Sequence, residues 1–334
     1  MFKFPSDHDN SLYLQPKKIV FMQYHWGHEK RYNDYSSYIR RTFGERVQKV
    51  SVNAGFTCPN RDGTKGTGGC SFCNNSTFNP SYCGPELSIS EQIDKGSSFF
   101  RPKYKTQQYL AYFQAYSNTY GKTAYLIEQY QQALNHPNVT GIILGTRPDC
   151  ISDDLLAVLK EWRKDYYIAI ELGAESTSDQ TLELINRGHS YEETIDAAQR
   201  ISKAGIPVGL HMILGLPGED RAQLLQHATE VSKLPINFLK LHQLQIVKGS
   251  AFAKRFEEEP DYFNLYAADD FIELVVDFLE LMNPEIVMER FISQAPFDLL
   301  IAPKWGGIKN FEFVAKVEKR LQERDTWQGK KYEK

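Results

Sequence analysis

The 334-residue sequence predicts an α/β fold, a partial parallel barrel of six βα units with an extension at each end. Three observations predict it. Six apolar, β-branched or aromatic runs alternate with longer amphipathic segments, the order expected when each strand is followed by a crossover helix. Each run is nearly continuous rather than alternating, as parallel strands are when helices cover one face and a second layer fills the other. Polar residues, glycines and prolines collect directly after the runs, where a TIM-like barrel carries its chemistry.

The predicted strands are 48–53, 109–116, 139–146, 166–174, 206–214 and 238–247, chosen for β-branched and aromatic content between turn residues. The predicted helices are 88–99, 121–135, 152–164, 190–204, 219–233 and 267–282. Ser152-Asp153-Asp154 precedes the apolar period of the third helix, and Ser190 stands three residues before Glu193, the spacing of a capping box. Asn283-Pro284 stops the sixth helix, a short strand at 285–291 follows, and the last residues read as one more helix fraying into a tail. The expected division is an N-terminal extension at 1–47, the barrel at 48–310 and a C-terminal helix and tail at 311–334.

Composition is that of a globular chain, 41% hydrophobic and 24% charged, with no apolar run of the roughly 20 residues that a membrane span needs. The first residues, MFKFPSDHDNSLYLQPKK, lack the apolar core of a secretory leader, so the expected compartment is the cytoplasm. Five cysteines, an odd number, do not read as a disulfide framework. A net charge of -3 neither requires nor excludes a nucleic-acid partner. Lys30, Arg31, Arg40, Arg41, Arg46 and Lys49 make residues 30–49 locally basic, and the aromatic residues among them suit either a nucleic-acid face or a helix closing the barrel bottom.

Three cysteines crowd the loop after the first strand. Cys58, Cys70 and Cys73 stand in a C-x11-C-x2-C pattern, so the closer pair can grip one centre from a single turn while Cys58 closes a loop onto it. With Cys83 as a fourth donor the set suits tetrahedral zinc; as three it leaves one corner of a [4Fe-4S] cluster open to an exchangeable molecule. Cys150 reads as a buried, inert thiol. Polar loops also follow the other strands: SNTY, TRPD, ESTSD and GLPGED. His25, His28, His189 and His211 share no metal-binding spacing, and Glu171, inside an apolar strand, is either a paired buried carboxylate or a site residue.

The cysteine loop CPNRDGTKGTGGCSFCNNSTF, with ELGAES, INRGHS and LGLPGED further on, resembles the radical S-adenosylmethionine (SAM) enzymes, and within them the YhcC/YtqA-like branch. That branch is similar to the radical domain of the elongator catalytic subunit. The likeness covers residues 20 to 310 and departs from the commonest C-x3-C-x2-C spacing by its longer first gap, a mark of the branch.

The resemblance implies a partial (βα)6 barrel of the radical SAM type, carrying a [4Fe-4S] cluster on Cys58, Cys70 and Cys73. Its open iron would chelate S-adenosylmethionine, whose reductive cleavage releases methionine and a 5'-deoxyadenosyl radical. It implies that Arg187 meets the methionine carboxylate, that Glu175 approaches the ribose or methionine part, and that Ser117, Asn118 and Thr119 bind the amino group. Gly215 and Gly218 would let the backbone pass the adenine. Gly145 stands where relatives often carry a glutamate, a contact Glu171 can replace. An electron donor such as flavodoxin or ferredoxin is implied, and so is a tRNA substrate, with conversion of 5-carboxymethylaminomethyluridine to 5-aminomethyluridine at the wobble position. The other readings are a radical enzyme acting on a small metabolite or protein, and a zinc-stabilised interaction module.

Overall fold

The computed structural model describes residues 24–77, 79–100 and 107–334. The leader expectation and the first half of the N-terminal extension, residues 1–23, lie outside the described residues. In chain order the elements are α1 (Tyr35–Phe43), β1 (Val47–Val52), α2 (Ile89–Phe100), β2 (Gln108–Phe113), α3 (Thr123–Leu134), β3 (Val139–Thr146), α4 (Asp153–Trp162), β4 (Tyr167–Glu175), α5 (Asp179–Leu184), α6 (Tyr191–Lys203), β5 (Val208–Leu214), α7 (Arg221–Ser232), β6 (Phe238–Gln243), β7 (Ile246–Val247), α8 (Ala251–Glu258), α9 (Ala268–Leu281), β8 (Val287–Arg290), β9 (Leu300–Ala302) and α10 (Asn310–Glu323).

Seven strands form one parallel sheet in the order β1-β2-β3-β4-β5-β6-β8. Sequential strands lie side by side, so each crossover returns its helix to the same outer face. That face carries the main core: Val50, Ala111, Phe113, Ile142, Leu144, Ile168, Ile170 and Leu210 pack against Ile93, Leu126, Leu155 and Leu159. Each such aliphatic side chain contributes about 1.5–3 kcal/mol on burial, which is why these runs show no polar alternation. The helix starts follow their sequence signals: the Ser152 side chain accepts from Leu155 N–H, and Ser190 and Glu193 close the capping box.

Three expectations are corrected. The second strand ends at Phe113 rather than residue 116, because the chain leaves the sheet toward Tyr116, whose φ is 60°. The sixth strand, expected to run to 247, breaks after Gln243; Ile246–Val247 turn away to pair antiparallel with Leu300–Ala302. The C-terminal segment does not fray. Beyond α10, Gly329 N–H donates to Leu279 O and Lys331 N–H to Glu280 O, while Gln328 Nε2 reaches Asn283 O and Ile286 O. The end of α9 leaves carbonyls without partners inside the helix, and the returning tail supplies them. The expected short strand is β8, the seventh of the sheet.

The structure decides between the two readings of the N-terminal aromatic stretch. Asp34 caps α1 through Ser37 N–H, and the helix sits under the barrel. Ile39 packs with Val47, Leu110, Tyr112, Ile143 and Ala169, while Tyr35 and Tyr38 meet Phe238 edge-on at 5.6 and 4.9 Å. Trp26 and Tyr32 are buried as well. Tyr35 and Tyr38 thus help to close the barrel bottom, the second of the two readings.

Candidate functional site: a cysteine wall above a charged barrel floor

The loop after β1 folds the three cysteines toward one place. Arg61 and Asp62 N–H both donate to Cys58 O, and Cys73 N–H donates to Cys70 O at 2.9 Å, so the Cys70–Cys73 pair does share one turn. Asn60 holds the loop shut: Gly69 N–H donates to its carbonyl, and its side chain donates to Asn186 O and lies 3.6 Å from Cys70 Sγ. A Cβ on Gly66 would stand 2.4 Å from Asn60 Oδ1, so a side chain there would push the Asn60 amide out of place. Burial, and then the neighbouring Cys70 thiol, push Cys73 up to about 11 despite Arg61.

The segment after α5 arches over this loop. Arg187 is buried; its Nη1 lies 3.3 Å from Cys70 Sγ, its Nη2 donates to Gly173 O, and Glu175 Oε1 stands 3.5 Å away. Glu175 ends β4 at a register shift and takes a φ of 69°, a rare conformation for a side-chain-bearing residue that turns its carboxylate back toward Arg187. Gly173 makes room, since a Cβ there would stand 2.7 Å from Arg187 Nη2. Arg147 braces the arch by donating to Arg187 O at 2.7 Å while gripping Asp149 in a two-pronged ion pair at 2.9 Å. Lys65, from the cysteine loop, reaches the same Asp149 at 2.6 Å. Burial would raise Asp149, but Arg147 and Lys65 hold it down at about 2.

Cys58, Cys70 and Cys73 line one side of a cavity of about 350 Å³ that runs down into the barrel. Ser117, Gly145, Glu175 and Arg187 line it too, and the buried Ser117 Oγ and Arg187 Nε have no hydrogen-bond partner among the described residues. Asn118 and Thr119 do not line the cavity. Asn118 Nδ2 donates to Gly145 O, and Thr119 Oγ1 bonds Thr146 Oγ1 and Cys150 O, so both brace the loop behind Ser117. Gly215 and Gly218 are also outside it; both have positive φ and face Tyr266 and Leu184 respectively. Cys83 is held elsewhere, its Sγ bonded to Ser51 O and Gln92 Oε1 at 3.2 Å, and burial pushes it up to about 12.

Below the cysteines the barrel interior is charged. Glu171 is the paired buried carboxylate: Lys49 Nζ lies 2.9 Å from it, Tyr112 OH 2.7 Å and His211 Nε2 2.9 Å, with Lys240 in contact. Glu289 completes the square by pairing with Lys49 and, at 3.0 Å, with Lys240. Burial alone would raise Glu171, but Lys240 and Lys49, with the His211 bond, hold it well below the usual carboxylate range. Glu171 also lines the cavity, with its oxygens engaged by these partners. His242 and Arg290 face the same end of the cavity. Sequence reading passed over both, although a histidine and an arginine inside predicted barrel strands were the available signal.

A family model for the Radical SAM superfamily matches residues 58–231, over half of the chain. The chain belongs to the radical SAM superfamily. The radical SAM C-terminal domain model matches residues 236–323. YtqA of Bacillus subtilis is 34% identical over 92% of this chain and 94% of its own length. A tRNA uridine(34) acetyltransferase of Methanocaldococcus jannaschii is 25% identical over 54% of this chain and 32% of its own. Among solved structures, an N-terminally truncated Elp3 of Methanocaldococcus infernus superimposes with a TM-score of 0.61 at 16% identity, covering 84% of this chain and 64% of that one.

Radical SAM enzymes work with a [4Fe-4S] cluster and S-adenosylmethionine and need a reductant. The residues present fit those groups. Three cysteines share one cavity wall, yet among the described residues no three Cys, His, Asp or Glu side chains converge on a single-ion site. A cubane takes its three cysteines on separate irons, so three thiols lining one cavity suit it. The unpartnered Ser117 Oγ and Arg187 Nε beside the wall suit a ligand with both carboxylate and amino groups. Among the described residues no helix is long and apolar enough to cross a membrane.

Proposed function

We propose that this radical SAM enzyme acts on tRNA, converting 5-carboxymethylaminomethyluridine at the wobble position to 5-aminomethyluridine: the arm's methylene would be oxidised, with one S-adenosylmethionine consumed as the two-electron oxidant, and water would then release the arm as glyoxylate. The observation that carries the reading is the 188-residue likeness to an enzyme named for uridine 34 of tRNA, on a chain whose cavity opens beside its cysteines. Cys58, Cys70 and Cys73 would hold the cluster, with Arg187, Glu175 and Ser117 around S-adenosylmethionine. When bound, these groups supply one-electron cleavage of the sulfonium and hydrogen abstraction. The chain's own part is to seat the cofactor, exclude water and present the base.

A wobble base is unpaired and enters a barrel mouth at lower cost than a duplex base. Two exposed aromatic side chains support this reading, one of them on the cavity lining. Tyr116, on the cavity lining, is 39% exposed, and Phe297, two residues past the lining residue Ala295, is 81% exposed. Stacking on such rings contributes about 1–3 kcal/mol per base. The test is anaerobic incubation of the reconstituted, reduced enzyme with S-adenosylmethionine and tRNA bearing 5-carboxymethylaminomethyluridine, followed by nucleoside mass spectrometry. Growth of 5-aminomethyluridine with matching 5'-deoxyadenosine is expected. Deoxyadenosine without loss of the modified nucleoside would count against tRNA as substrate.

A further inference from the structure

We propose that the barrel floor opposite the cysteine wall is a subsite for a substrate carboxylate, anchored by Arg290 with His242 and His211 beside it. The placement begins in the register of β6 and β8. Leu239 pairs with Met288, but Lys240 pairs with Arg290, so Glu289 occupies a bulge. Such a slip lets two successive residues serve one face. Glu289 turns inward to Lys49 and Lys240, and Arg290 lines the cavity.

The charge balance of the interior leaves Arg290 over. Lys49 and Lys240 are matched by Glu171 and Glu289. Each other arginine on the cavity lining is engaged: Arg61 with Cys73 O, Arg147 with Asp149, Arg187 with Glu175 and Gly173 O. Arg290 has no ion-pair or hydrogen-bond partner among the described residues, though it lines the same cavity. Next to it, His242 Nε2 is buried without a partner, and its ring stacks on His211 at 5.5 Å. Burial first, then His211, Arg290 and Lys240, hold His242 well below the usual imidazole range, so it is neutral and offers an N–H in a positive field.

Fixed donors around an unpaired guanidinium inside a barrel call for an anion there. The fork selects the kind: the plane of a terminal carboxylate matches the guanidinium. Resting on the wobble reading, the subsite takes the carboxylate of the carboxymethylaminomethyl arm.

The experiment titrates holoenzyme with two pairs of probes by calorimetry. One pair is an anticodon stem–loop carrying 5-carboxymethylaminomethyluridine and the same RNA with the arm as its primary amide; the other is N-benzylglycine and N-benzylglycinamide. Each acid is expected to bind at least about tenfold tighter than its amide, the scale of a charge-assisted bond. Arg290→Gln should erase the difference and Arg290→Lys keep part of it, with cluster iron content as the folding control. If only the N-benzylglycine pair discriminates, through Arg290, the subsite stands and the wobble reading falls. Equal binding of acid and amide in both pairs, no binding of either acid, or a preference that survives Arg290→Gln in iron-loaded protein would overturn the subsite.

Discussion

Arg187 lies with Nη1 3.3 Å from the Cys70 sulfur, so the arch after α5 and the cysteine loop meet at one guanidinium. Replacing Arg187 with Met should weaken S-adenosylmethionine binding to the reconstituted enzyme by about 10- to 100-fold, since hydrogen bonds to charged groups contribute about 1.5–3 kcal/mol. Arg187→Lys keeps the charge without the fork and should fall between. Equilibrium dialysis of the cofactor checks both, and unchanged affinity in Arg187→Met would remove this residue from the binding site.

The five cysteines should divide sharply in iron binding. After anaerobic reconstitution, Cys58→Ala, Cys70→Ala and Cys73→Ala should each lose the [4Fe-4S] absorbance and the electron paramagnetic resonance signal that S-adenosylmethionine perturbs. Cys83→Ala and Cys150→Ser should retain both. Burial pushes Cys83 and Cys150 up to about 12, so at pH 8 only on the order of 10⁻⁴ of either is thiolate. Iodoacetamide should leave both unmodified in the folded chain, as peptide mapping would show.

The charged square under the site makes a stability prediction. Lys240→Met strips one cation from Glu171 and Glu289 and leaves buried carboxylate charge undercompensated, which should cost about 3–5 kcal/mol. The double variant Lys240→Met, Glu171→Gln should recover part of that loss. Thermal unfolding of the three proteins tests it, and a single variant as stable as the parent would show that the square is not a structural unit.

Asp149 sets an acid limit on the arch. Its folded value of about 2 lies below the ordinary aspartate value of about 3.9. The group therefore adds stability that is full above pH 4 and disappears as pH falls toward 2, on the order of 2 kcal/mol. Asp149→Asn should melt lower than the parent at pH 7, and the gap should close toward pH 2.5. Circular dichroism of the metal-free chains follows it; a gap independent of pH would mean that Asp149 acts by shape alone.

Much of this was legible in the sequence because parallel strands announce themselves. Runs such as Val139–Thr146 and Val208–Leu214 are apolar apart from two threonines and His211, and Ser190 with Glu193 marks a helix start without any tertiary help. The cysteine loop was legible through its spacing. What escaped depended on distant partners. The ribbon of β7 and β9 is two residues against three, too short for any periodicity. The docking of the tail turns on Gln328, whose hydrogen-bond partners lie more than 40 residues away. Lys240 and Glu289 look like interruptions of apolar strands until the barrel closes and sets them against Lys49 and Glu171.

The β6–β8 bulge has a consequence for descent. The cysteines and Arg187 come from the stretch matched by the superfamily model, whereas His242 and Arg290 come from the separate C-terminal match. Their side chains meet across one cavity, but they are inherited on different segments of the gene. On the proposed subsite, changes confined to the last third of the chain would alter substrate choice and leave the cysteine wall intact.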